Sequence, residues 1–319
     1  MLHMKIFITL GSGNSGAGAI HDYLASRDDF FCPFKGKEFR LVNDPDGIDD
    51  LFNTFYNHFS INGSANKFDN FNKFTKNLYH SNYNIKNKIL DKQFLVLTKN
   101  FMSQVIQLQY NGSPRFFFDK MNLLNKVNFY FKRFLLGKSS KNIKLLKMII
   151  PVNQEDFIKE CEKYLYEIFK LNNKFDKKKN IVIEQGGNFF KPMESTKYYG
   201  SNREIILVTR DPKAIFSSMK RRQSLAYPGH DIKLFVKWYK SIMSNVNFNE
   251  NNKITHIKYE NFFSDFLNQK KILCSKLNID PDINDNFDLE FTKRNLFKFE
   301  KKLSNDEKKF IDDQLKNYV

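Results

Sequence analysis

Arg210 and Ser218 stand eight residues apart in EIILVTRDPKAIFSSMKRR, Glu204 to Arg222. A guanidinium offers a planar fork of donors and a hydroxyl adds one more, so this pair can clamp a phosphate from two sides. Near the N-terminus, Gly11-Ser12-Gly13-Asn14-Ser15-Gly16-Ala17-Gly18 offers an anion site of another kind. Glycines there let backbone N–H groups turn toward one point and approach a phosphate closely. A third cluster, Lys35-Gly36-Lys37-Glu38-Phe39-Arg40, with Arg27 upstream, sets one acid among four cations. Glu38 so placed can take a proton from a reacting hydroxyl, although a surface salt bridge is the commoner fate of a Glu beside Lys.

These residues fall at the ends of predicted strands. Ile205 to Val208 is a continuous apolar run, the pattern of a strand buried on both faces of a parallel sheet. Asp211-Pro212 then opens a helix, Asp as cap and Pro in the first position. Lys5 to Leu10 predicts a strand running into the glycine loop, with a helix from Ala19. Strand, glycine loop and helix together aim N–H groups and a helix N-terminus at an anion. Phe30 to Phe34 reads as a second strand or edge segment, and Asp44-Pro45-Asp46-Gly47 as a turn before a helix near Ile48. Further strands are predicted at Ile181 to Glu184 and Ile254 to Tyr259, and Ser304 with Glu307 forms a capping box for the last helix. Strands alternating with helices predict a mostly parallel sheet with its ligand site at the carboxyl ends of the strands. Residues from about 61 to 175 are rich in Asn, Lys and Phe, with loose helical periodicity and no chemical constellation. They read as a helical insertion, with Phe116-Phe117-Phe118 as core.

The chain has 319 residues, enough for one large α/β domain carrying an inserted subdomain. Lys and Arg outnumber Asp and Glu by 52 to 35, a net charge of +17, which suits an anionic ligand, an acidic glycan or a membrane surface. Nucleic acid is the weaker partner, because the basic residues are dispersed and no recognised nucleic-acid motif occurs. No stretch approaches the roughly 18 apolar residues that span a bilayer, which leaves peripheral membrane contact open. MLHMKIFITLG lacks the long apolar core and cleavage site of a signal peptide. Cys32, Cys161 and Cys274 are scattered without metal spacing and read as thiols of a reducing cytoplasm. No set of metal ligands is expected.

With these stretches in order, the chain resembles the sulfotransferases that use 3′-phosphoadenosine 5′-phosphosulfate (PAPS). That family's strand-loop-helix cradle for the 5′-phosphosulfate matches Gly13-Asn14-Ser15-Gly16-Ala17-Gly18, and its R-[ND]-P-x-[DA]-x-x-x-S segment for the 3′-phosphate matches Arg210 to Ser218. ITHIKYENFF is similar to the family's strand ending in Tyr-Glu. Lys37-Glu38-Phe39 is similar to the K-E-h of the heparan sulfate sulfotransferases, where that Glu is the base. The resemblance covers roughly residues 4 to 60 and 180 to 319. It implies a P-loop-like three-layer α/β fold in one domain over 1–319, with the helical insertion at about 61–175. It also implies PAPS as co-substrate without a metal, and a hydroxyl acceptor, by analogy a sugar or glycan precursor. Glu38 would be the base with Lys37 beside it, and Lys293 and Arg294 would add charge at the 3′-phosphate. One departure stands out. The family's loop cation falls on Asn14 and its two Thr on Ala17 and Gly18, leaving Lys37, Lys35 or Arg40 to supply the missing charge.

Two other readings stay open from sequence. A P-loop kinase accounts for the glycines, since Gly11 and Gly16 have its spacing. It lacks the Lys and the Mg²⁺-binding hydroxyl, which Ala17 and Gly18 replace. A sulfotransferase-like binding protein that lost turnover with its loop cation is the other.

Overall fold

The structure, a computed structural model, describes residues 4–34, 37–81, 84, 90–112, 118–119, 121–136, 146–177, 179–222, 226–246 and 253–318. Lys35, Gly36, Phe116 and Phe117 lie outside the described residues. The chain divides into two compact units, Met1–Val42 with Asn172–Val319, and Asn43–Leu171.

The first unit is built on a parallel sheet. Its strands are β1 (Ile6–Gly11), β2 (Phe30–Phe31), β5 (Asn180–Glu184), β6 (Arg203–Thr209) and β7 (Ile254–Lys258), in the order β2-β5-β1-β6-β7. Register aligns Thr9 with Glu184, Gly11 with Val208, and Thr209 with Lys258. The apolar runs explain the placing: β1 is buried along its whole length and occupies the centre, while the two-residue β2 takes the edge. Phe7, Val182, Ile206, Val208 and Ile257 pack on one face with Ile20, Tyr23 and Leu24. Ile8, Leu10, Ile205 and Leu207 point the other way by the pleat and are fully buried too, so both faces are covered. The result is the α/β class with a mostly parallel central sheet that the strand-helix alternation predicts. Neighbours of β1 are reached by connections running to opposite sides, so the crevice at its carboxyl end is a topological switch point.

Local signals translate directly. Helix α1 (Ala17–Ala25) follows the glycine loop, two residues earlier than its apolar periodicity indicates, because Gly16 makes the turn and Ala17 can already adopt helical angles. The Asp211 carboxylate accepts from the Lys213 N–H at 2.8 Å and caps α8 (Pro212–Arg222). Ser304 and Glu307 form both bonds of the capping box on α13 (Asn305–Leu315). From helices α10 (Tyr259–Ser264) and α11 (Phe266–Leu277), Phe262 and Phe266 pack on Tyr23 together with Phe287, on which Phe263 stacks. Helices α7 (Pro192–Thr196), α9 (Ile232–Met243) and α12 (Leu289–Lys293) belong to the same unit.

Arg27 has a different place from the one its sequence neighbourhood gives it. Its side chain is fully buried, donating twice to the Asp29 carboxylate at 2.9 Å and once to the Asp280 carbonyl at 2.7 Å. A buried guanidinium needs its N–H groups satisfied, and here the Asp29 carboxylate, the Asp280 carbonyl, the Tyr23 hydroxyl and Cys274 Sγ accept them. Arg27 is therefore a strut of the core and supplies no charge to a ligand.

The second unit contains α2 (Ile48–Phe52), α3 (Ile61–His80), α4 (Lys92–Gln104), α5 (Leu123–Leu136) and α6 (Gln154–Lys170). Phe52, Phe55, Tyr56, Phe101 and Phe157 form its aromatic core. It also contains an antiparallel pair, β3 (Ile106–Gly112) with β4 (Leu146–Pro151), inside the stretch that reads as helical. IQLQY alternates apolar and polar residues at the strand period, a signal too short to stand out among the longer helical patterns around it.

Candidate functional site

The loop after β1 has three residues with positive φ: Gly13 at 82°, Asn14 at 55° and Gly16 at 87°. Such a run turns successive N–H groups to one side and forms an anion-binding concavity. Gly16 precedes α1 without a side-chain cap, so its first N–H groups face the same concavity. Two aromatic walls set the loop's size. A Cβ on Gly13 would lie 2.6 Å from the Tyr227 hydroxyl, and one on Gly16 would lie 2.3 Å from Tyr259 Cδ2. The backbone also explains the odd residue of the loop. At φ 55° an Asn is tolerated far better than a long cation, so position 14 suits the residue it holds.

Arg210 leaves the end of β6 and reaches this loop. Its Nη1 donates to the Asn14 carbonyl at 3.4 Å, and its Nη2 to the Asn295 carbonyl at 3.0 Å. The guanidinium lies 4.5 Å over the Tyr259 ring, and Nε is 3.7 Å from Glu260 Oε1. Burial pushes the Glu260 carboxyl up, although the N–H groups of its own residue and of Asp211 and the charge of Arg210 work against that. Arg210 thus ties three separate segments together. Its Nε is buried with no hydrogen bond, and so is the Ser15 hydroxyl in the adjoining loop. A buried donor left unmade costs about 1–3 kcal/mol; Arg210 Nε faces the Glu260 carboxylate, while the Ser15 hydroxyl beside the loop could answer an anion.

The fork of Arg210 brings the 293–295 turn into the site through Asn295, next to Arg294, which is exposed. Lys293 is exposed and 3.9 Å from Glu290. Ser218 is half-buried on α8, and Ser217 beside it is buried.

Glu38 also comes to the carboxyl end of the sheet. It bridges to Glu184 in parallel register, and the Phe39 N–H donates to the Glu184 carbonyl at 2.8 Å. Lys37, Glu38 and Arg40 are exposed, while Phe39 between them is buried and stacked on Phe34. Glu184 itself was not singled out by the sequence. A Cβ on Gly18, in the first turn of α1, would lie 2.8 Å from Glu184 Oε1, so the carboxylate packs against that glycine. Burial pushes this carboxyl up; His21 and Lys37 counteract that, while Glu38 and Asp22 add to it. His21 sits beneath, its ring bonded to Asp22 Oδ1 at 3.2 Å and to Cys32 Sγ at 3.4 Å. Burial alone would lower it, but those bonds and the Glu184 charge outweigh burial and raise it to about 9. The one available signal for Glu184 is positional: it is the last residue of an apolar strand.

The Gly16 turn gives an expected result. Gly16→Ala must hold φ near 87° and push into Tyr259, so the variant should lose about 2 kcal/mol or more of stability. That corresponds to a thermal midpoint lower by roughly 4–8 °C. A midpoint equal to wild type would mean that the loop and the Tyr259 wall are not in contact.

Neither a comparison with protein-family profiles nor a search of characterised proteins gives a match. Among solved structures, the chain is similar to the sulfotransferase domain of the curacin biosynthetic pathway, with 16% identity and a TM-score of 0.44 over 98% of this chain and 97% of that one. It is similar to the sulfotransferase domain of the Synechococcus PCC 7002 olefin synthase, at 12% identity and TM-score 0.42 over 95% and 90% of the two chains. A third is sulfotransferase STF1 from Mycobacterium tuberculosis H37Rv, at 9% identity and TM-score 0.41 over 99% of this chain and 77% of that one.

Proposed function

We propose that the chain transfers a sulfuryl group from PAPS to a hydroxyl acceptor by in-line displacement. The observation that carries this reading is the bond from Arg210 to the Asn14 carbonyl, which joins two phosphate-type stretches 196 residues apart at one end of the sheet. Backbone N–H groups from Gly13 to Gly18, with the Ser15 hydroxyl, hold the 5′-phosphosulfate. Arg210 and Ser218 hold the 3′-phosphate, and Lys293 and Arg294 add positive charge around it. The unpartnered Ser15 hydroxyl and the fork of Arg210 fit that ligand, whose two anionic ends need separate donor sets.

In the transfer, the acceptor oxygen forms a bond to sulfur while the bond from sulfur to the 5′-phosphate oxygen breaks, releasing adenosine 3′,5′-bisphosphate. The acceptor proton goes to Glu38. Positioning and charge neutralisation supply most of the rate in such a displacement. Lys37, adjoining Glu38, provides the cation that the loop lacks at Asn14. A sugar hydroxyl is the acceptor we favour, since Lys37-Glu38-Phe39 is similar to the motif of sulfotransferases acting on glycans.

Calorimetry with adenosine 3′,5′-bisphosphate, adenosine 5′-monophosphate and ATP tests the reading. The bisphosphate should bind at least about ten-fold tighter than the monophosphate, because each charge-assisted bond to the 3′-phosphate contributes about 1.5–3 kcal/mol. Equal affinities would remove the main support for PAPS, and tighter binding of Mg²⁺-ATP would favour the kinase reading instead.

A further inference from the structure

Helix α5 in the second unit, LLNKVNFYFKRFLL, exposes an apolar face that the protein's own core does not use. Leu123, Leu124, Val127, Phe131, Phe134 and Leu135 are all at least 60% exposed, with Leu124 at 81% and Phe134 at 85%. Tyr130, at 62%, belongs to the same set. At 3.6 residues per turn these seven side chains fall in one arc roughly 140° wide. Phe129, on the opposite side, is buried. Asn125 and Lys132 also point away from the arc and line a cavity of about 1470 Å³ with residues of α3 and α4. The helix is thus anchored by one side while its more apolar side faces solvent. Single exposed leucines are ordinary, but seven large apolar side chains on one face mark an interaction surface.

Charge decides what covers it. The helix carries Lys126, Lys132 and Arg133 and no acidic residue. Lys126 and Arg133 lie beyond one edge of the apolar arc and Lys132 beyond the other, by the same helical geometry. A second copy packed face to face would bring six cations together with no acid on either helix to answer them. An anionic bilayer surface answers both features. Its acyl boundary accepts the leucines and phenylalanines, and its headgroups accept the flanking cations, whose aliphatic stems reach outward from the helix. The net charge of +17 draws the whole protein to the same surface. Fourteen residues are too few to cross, and no helix among the described residues is long and apolar enough to do so.

We propose that Leu123–Leu136 is an interfacial helix that docks the protein on anionic lipid. This stands apart from the transfer chemistry and does not depend on it. Co-sedimentation of the full chain with vesicles of phosphatidylglycerol and phosphatidylcholine, against phosphatidylcholine alone, reads it out. Binding should be at least about ten-fold stronger to the anionic vesicles and should weaken as salt rises. Leu124→Glu with Phe134→Glu should cut vesicle binding by about ten-fold or more, while leaving the thermal midpoint and nucleotide affinity unchanged, because both side chains are exposed. Lys126→Glu with Arg133→Glu should abolish the preference for anionic lipid, and Lys126→Arg with Arg133→Lys should keep it. Absence of vesicle binding by the wild-type chain would overturn the proposal, as would binding equal in wild type and the Leu124/Phe134 variant. So would a dimer, seen by light scattering, that Phe134→Glu dissociates.

Discussion

Glu38→Gln should lower the turnover of sulfuryl transfer by roughly two to four orders of magnitude while leaving nucleotide affinity nearly unchanged. The amide keeps the shape of the carboxylate and cannot accept the proton. Glu38 is exposed at the carboxyl end of the sheet and bridged to Glu184, so the substitution should leave the fold of the glycine loop intact. The measurement is single-turnover transfer from labelled PAPS beside calorimetric binding of adenosine 3′,5′-bisphosphate. Glu184→Gln is the informative partner, because Glu184 pairs with Glu38 at the strand end and burial pushes its carboxyl up, with the charge of His21 acting against that. Full activity in Glu38→Gln with loss in Glu184→Gln would move the base to the adjoining strand.

Arg210→Ala should remove most of the preference for adenosine 3′,5′-bisphosphate over the 5′-monophosphate, weakening the bisphosphate by roughly ten- to a hundred-fold. Monophosphate affinity should fall much less, since the proposed binding mode assigns that end to the loop and the start of α1. Arg210→Lys separates charge from geometry. A lysine retains the charge but lacks the planar fork that reaches the Asn14 and Asn295 carbonyls from two nitrogens and lies over the Tyr259 ring. The lysine variant should therefore recover only part of the preference. If Arg210→Ala weakens both nucleotides equally, the arginine holds the loop together and touches no 3′-phosphate.

Much of this protein is written into short stretches of its sequence. The apolar runs of β1, β5 and β6, the Asp211 cap of α8 and the Ser304-Glu307 capping box depend on residues within a few positions of one another. Backbone dihedral preference and periodicity act over that range, so the α/β class and the glycine loop are legible in the order of residues alone. The tertiary structure alone decides what meets across the chain. It seats Arg210 against Asn14 and Asn295, and it buries Arg27 against the Asp280 carbonyl, 253 residues away. It also brings Glu184 to Gly18, sets Tyr259 against Gly16, and leaves the apolar side of α5 facing outward. These are outcomes of strand order and packing between residues far apart in sequence, where burial and the need to satisfy buried charge outweigh local preference.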